Sequence, residues 1–193
     1  MKKTSLVAAA LLALASQSHA AQYLGAQGQA QVDASFATAS QLFFDLNFDK
    51  LGSTTLNFSV EAADLNQPLL SFNALVRNFS GLGFEGLSLK LKGASFAAPA
   101  GTVTTDGFQT VLASGSSSQS LWAQFGQPGV TTEFYIGNPL QQKGAGDWTL
   151  DLTGAQVGDT FSISVAVPEP ESYALMLAGL AVMGWAARRK NAQ

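Results

Sequence analysis

Between residues 21 and 166, apolar and polar side chains alternate in short runs, and this limits the fold more than any other feature of the chain. Phe44, Leu46 and Phe48 keep a period of two, as do Leu56-Phe58-Val60 and Phe72-Ala74-Val76. The spacing returns at Leu87-Leu89-Leu91, Trp148-Leu150-Leu152 and Phe161-Ile163-Val165. Successive side chains of a strand point to opposite faces, so these runs read as half-buried strands. Turn-forming clusters separate them, among them Asn66-Gln67-Pro68, Gly81-Leu82-Gly83 and Gly137-Asn138-Pro139. Residues 41–50 come closest to a helical pattern, but Asn47 and two Asp argue for strand. Roughly eight to ten strands, each polar on one face, predict an all-β domain: an antiparallel β-sandwich or a jelly roll.

Two local expectations refine this. Asp106-Gly107 supplies the positive-φ pair of a type I′ turn, which predicts a hairpin over residues 102–112. Residues 114–120 (SGSSSQS) read as a long polar surface loop in which Gly115 tolerates replacement. With no Cys in the chain, thirteen Phe must provide the bulk of the core.

Both chain ends differ from this pattern. Lys2 and Lys3 precede an apolar stretch at residues 6–15 (LVAAALLALA), and a polar segment then ends on small residues. That layout is a secretory signal peptide over residues 1–20, with cleavage between Ala20 and Ala21. Ten residues at about 1.5 Å each span half of a roughly 30 Å hydrocarbon core, too little for an anchor. His19 is the only histidine and leaves with the signal, so the mature chain has neither His nor Cys. The usual neutral-pH general base, thiol nucleophile and transition-metal ligands are then missing, and no cofactor or metal is expected. After processing, five cations face eleven acids across the domain. An acidic surface disfavours nucleic acid and anionic membrane.

At the other end stands Val167-Pro168-Glu169-Pro170, where the prolines forbid both helix and ladder hydrogen bonds. A charge-free run at residues 172–187 (SYALMLAGLAVMGWAA) follows, closed by Arg188, Arg189 and Lys190. The run reads as a short transmembrane helix of about 24 Å, marginal for a permanent anchor, with its cations held on the cytoplasmic side. These three parts in this order resemble the PEP-CTERM sorting signal, a family also known as the ice-binding protein C-terminal domain. The resemblance covers residues 167–190 only, and the ice-binding name attaches to the tail rather than to the domain. It implies recognition by an exosortase, a membrane-embedded cysteine transpeptidase-like enzyme. It further implies transient insertion in the inner membrane, cleavage near Pro-Glu-Pro, and release or transfer to the cell surface. The expected partners are the secretion machinery, from the signal peptide, and the exosortase, from the resemblance, with exopolysaccharide of an extracellular matrix or biofilm as a further candidate.

Candidate chemistry inside the domain is sparse. Asp45-Leu46-Asn47-Phe48-Asp49 begins like a calcium loop, but Lys50 replaces the required Gly and Leu56 the bidentate Glu. The alternation places these residues on a solvated edge strand instead. Asp147 and Asp151 could be a glycoside hydrolase pair, but four strand residues span about 13 Å, beyond the reach of paired carboxylates. Trp122 and Tyr135 fall on the outward parity of their runs and could stack on sugar rings. The sequence therefore predicts an exported, non-catalytic surface protein, with a carbohydrate-binding module as the alternative and a hydrolase third.

Overall fold

The computed structural model describes residues 21–38, 40–106, 111–126, 131–140, 146–168, 178–183 and 188. Thirteen strands are present among them, more than the sequence pattern suggests. In chain order the first seven are β1 (Gln22–Gly28), β2 (Ala30–Asp33), β3 (Gln41–Phe48), β4 (Gly52–Ser59), β5 (Leu69–Asn78), β6 (Gly86–Lys92) and β7 (Ser95–Phe96). The remainder are β8 (Val103–Thr105), β9 (Val111–Ser116), β10 (Ser120–Phe125), β11 (Glu133–Ile136), β12 (Trp148–Asp151) and β13 (Thr160–Val167). A 3-10 turn at Asp64–Asn66 interrupts the passage from β4 to β5.

The strands form a six-stranded sheet, β1-β4-β13-β6-β10-β9, and a seven-stranded sheet whose main path is β2-β3-β5-β11-β8. In the second sheet β12 also pairs with β5 and carries β7. The two layers close on one core. Phe58 of β4 meets Phe44 of β3 at 5.5 Å between ring centroids, and Phe125 of β10 meets Phe134 of β11 at 5.1 Å. Each period-two run expected to face inward does so: Phe44, Phe58, Phe72, Leu89, Leu150 and Ile163 are all buried. Replacing any one of the buried Phe with Ala would cost about 3–5 kcal/mol.

The all-β, two-sheet architecture matches the sequence reading, and several finer expectations need correction. The sandwich is not purely antiparallel, because β3 and β5 run parallel from Gln41↔Ser71 to Phe48↔Asn78. The chain leaves β3 for β4 in the opposite sheet and then returns, so β5 arrives beside β3 in the same direction. Residues 102–112 are not a hairpin: β8 pairs with β11 in one sheet, and β9 with β10 in the other. Asp106 therefore sits where the chain passes between layers, and Gly107 lies outside the described residues. Residues 114–120 are not a long loop. They complete β9, turn tightly at 117–119 and open β10, with Ser117 N–H donating to the Ser120 carbonyl at 2.8 Å. A Ser/Gly strand needs no apolar signal, because backbone bonds alone make the ladder. Finally, β3 is an interior strand rather than an edge, since β2 covers its other side.

β1 and β2 escaped the sequence pattern for a related reason. They are rich in Gln, Gly and Ala and mostly half-exposed. Gly28, which ends β1 at φ 143°, lies so close to the Ser53 carbonyl oxygen that a Cβ would collide with it. The residues of the proposed signal peptide lie outside the described residues, as does most of the apolar run 172–187. Residues 178–183 are helical and exposed. Among the described residues, no helix is long and apolar enough to cross a membrane.

Candidate functional site: the exit of the C-terminal tail

β13 is the last strand among the described residues and lies inside its sheet, bonded to β4 over eight register pairs and to β6 over five. Phe161, Ile163, Val165 and Val167 point into the core, while Ser162, Ser164 and Ala166 face out. The ladder runs to Val167, which pairs with Gly52. Pro168 follows with no N–H to extend the ladder, so the sheet stops where the apolar tail begins. Of the proposed sorting residues, Val167 and Pro168 are described; Glu169 and Pro170 lie outside the described residues. Arg188 is exposed and helical, whereas Arg189, Lys190 and Ala20 lie outside the described residues. Ala21 is described and buried immediately before β1.

A groove of about 490 Å³ opens beside Pro168, lined also by Gly86, Ser88, Trp122 and Gln124. The register accounts for it. Ala166 faces Ser88, Ser88 faces Trp122, and Trp122 faces Gly115 across successive strands. Small side chains at 166, 88 and 115 leave the indole standing above the sheet, 47% exposed. Gly115 is part of its seat: a Cβ there would come within 2.8 Å of Trp122 Nε1. The sequence flagged Trp122 through its outward parity. It missed Gly115, Gly86 and Gln124, whose only signal is cross-strand register, which a sequence does not display.

Tyr135 also faces outward, but from the other layer. It lies on β11 between Leu75 and Thr104, so the two aromatics look away from each other and form no common platform. Its hydroxyl donates to Glu133 Oε1 at 2.5 Å. That bond, with some burial, pushes the phenol up to about 12. Glu133 Oε2 accepts from Arg77 Nε at 3.0 Å, and Arg77 Nη1 donates to Asp45 Oδ2 at 3.1 Å. Asp45, first met as part of a calcium-like run, is thus one end of an ion-pair bridge across β3, β5 and β11.

Asp147 and Asp151, the pair weighed above, are held by hydrogen bonds of their own. Asp147 accepts from Ser71 Oγ at 2.8 Å, from Asn73 Nδ2 at 3.1 Å and from Asn138 N–H at 2.9 Å. Hydrogen bonds from the Thr153 side chain and from Thr153 N–H, the latter at 2.8 Å, hold the Asp151 carboxyl below its ordinary value. Among the described residues, no group of three or more His, Cys, Asp or Glu is placed to hold a metal ion.

Comparison with known proteins agrees with the position of the boundary. The family model of the PEP-CTERM protein-sorting motif matches residues 166–190, beginning inside β13 and running through the basic end. The tail therefore carries a sorting signal of the kind recognised by exosortase. No curated protein and no solved structure matches the chain.

Proposed function

We propose that the chain is an exported, non-catalytic β-sandwich delivered to the cell surface or extracellular matrix. In this reading the signal peptide is cut between Ala20 and Ala21. Residues 172–187 then insert transiently in the inner membrane, and an exosortase cuts near Pro168-Glu169-Pro170. The observation that supports it most is the abutment of a matched sorting signal on a finished domain. Loss of everything after Pro-Glu-Pro removes no strand and no core side chain among the described residues.

The junction also sets the geometry of the uncut precursor. Only residues 168–171 separate β13 from the apolar run. At about 3.3–3.6 Å per extended residue, that tether reaches about 14 Å. The sandwich is held against the membrane by the end that carries Pro168 and the Trp122 groove, and cleavage frees that end. Replacing both Pro168 and Pro170 by Ala lets β13 or the following helix grow into the junction. The double variant should accumulate as precursor in the inner membrane, read by fractionation and immunoblotting. Normal release would contradict the role given to this segment.

A second reading has one observation in its favour. Trp122, exposed above Gly115 in an open groove, suits stacking on a sugar ring of an exopolysaccharide. On this reading Trp122 acts without Tyr135, which belongs to the opposite face.

A further inference from the structure

The first described residue is held unusually firmly. Ala21 is 2% exposed and belongs to the core cluster. Its φ of 45° lies in the left-handed region, rare for a residue with a Cβ, so its surroundings must impose that conformation. Its nitrogen donates to Asp64 Oδ1 at 2.9 Å. Asp64 is itself 2% exposed and opens the 3-10 turn after β4. Its other oxygen, Oδ2, accepts from Glu61 N–H at 2.7 Å. Both ion pairs among the described residues belong to Arg77, so no described cation balances the Asp64 carboxylate. A buried carboxylate with two neutral donors and no counter-charge is costly. The chain places beside it the backbone nitrogen that cleavage before Ala21 turns into a cation.

We propose that Asp64 is the receptor for the α-ammonium group created when the chain is cut before Ala21, so that removal of the signal peptide locks the sandwich. The proposal rests on the cleavage site given above. Hydrolysis breaks the Ala20–Ala21 amide with one water. The hydroxyl goes to the Ala20 carbonyl carbon, which leaves as a carboxylate, and the hydrogen goes to the Ala21 nitrogen. An α-amine ordinarily titrates near about 8, so at neutral pH it takes a further proton. A neutral donor to Asp64 thereby becomes a charged one with two more hydrogens, in a setting where water screens little. The uncut precursor has only the neutral bond, so its sandwich is looser at the β1 end during transit.

The test is a double-mutant cycle on two chains, residues 21–193 with a free Ala21 amine and the same chain extended by Ala20. Each is made with Asp64 and with Asp64→Asn, and unfolded in urea at pH 7. With Asp64, the extension should lower the folding equilibrium constant tenfold to a hundredfold; in the Asp64→Asn background, less than about threefold. Equal effects in the two backgrounds would overturn the lock. Should the Asp64→Asn chains fail to fold, labelling of the native 21–193 chain decides. The Ala21 amine should resist an acylating reagent under conditions that modify the lysines, and prompt labelling would overturn the lock. N-terminal sequencing of the exported protein separates the two claims. A first residue other than Ala21 overturns the cleavage site, whereas Ala21 without coupling overturns the lock alone.

Discussion

The outer faces of the two sheets are built on different rules. On the seven-stranded sheet, long charged side chains tie neighbouring strands together. Arg77 spans Asp45 and Glu133, and Asp147 gathers Ser71, Asn73 and the backbone of Asn138. The face is tight enough that Asn73 is 0% exposed although it points away from the core. On the six-stranded sheet the outward side chains are mostly short. Thr55 and Ser164 share a hydroxyl bond at 2.8 Å, and Ser88, Ser162 and Ala166 add little above the ladder. Trp122 stands on this second surface, next to the place where the tail departs. A stitched face serves stability, since no member can move without unpairing another. An open face with one large aromatic leaves a side chain that can meet a partner at little cost to the fold.

The contrast is sharpest at Asp147. Replacing it with Ala unpairs three donors, one of them on the fully buried Asn73, and should cost about 2–4 kcal/mol. Thr55→Val on the other face loses one hydroxyl bond and should cost about 1 kcal/mol. Urea midpoints at constant slope measure both; equal costs would erase the distinction between the faces.

A smaller effect concerns Tyr135. Its phenol is raised to about 12, first by the bond to Glu133 and then by burial. A group raised in the folded state stabilises fully below its unfolded value of about 10 and loses that contribution as pH climbs through the folded value. The Tyr135 contribution is therefore constant at neutral pH and disappears between about 10 and 12. Glu133→Gln should bring tyrosinate absorbance at this residue back toward pH 10. An unchanged titration would mean that the Glu133 contact does not hold the phenol.

The smallest effect on stability belongs to Trp122. Trp122→Ala should shift the fold by no more than about 0.5 kcal/mol, as exposed positions usually do. Gly115→Val, by pushing the indole from its seat, should alter tryptophan emission far more than it alters stability. If the face binds sugar, both changes abolish an oligosaccharide-induced fluorescence response. A response that survives both would remove Trp122 from the reading.

Much of this was legible before the structure, and the losses share one cause. Alternation tells which side of a strand is buried, and it puts Phe44, Leu89 and Ile163 inward and Trp122 outward, as the structure has them. It does not tell which strand lies alongside. The parallel pairing of β3 with β5, the crossing of the chain after β8 and the separation of Trp122 from Tyr135 all depend on long-range partners. Polar strands are a second blind spot. Ser114 to Ser116 have no apolar signal and are recruited by the backbone ladder, while the Gly- and Gln-interrupted β1 breaks the alternation although Tyr23 and Ala26 pack on the core. Asp64 was silent too, because its meaning comes from Ala21, forty-three residues away. The tail was the easiest part to read, since its three parts are contiguous in sequence and owe nothing to tertiary contacts.

The central claim is that a complete sandwich is delivered by two segments that it then loses. Intact mass spectrometry of the protein recovered from the cell surface tests it most directly. The expected species begins at Ala21, retains β13 through Val167 and lacks the apolar run with Arg188, Arg189 and Lys190. A surface protein whose mass still includes that basic end would contradict it, and would make the tail a permanent anchor.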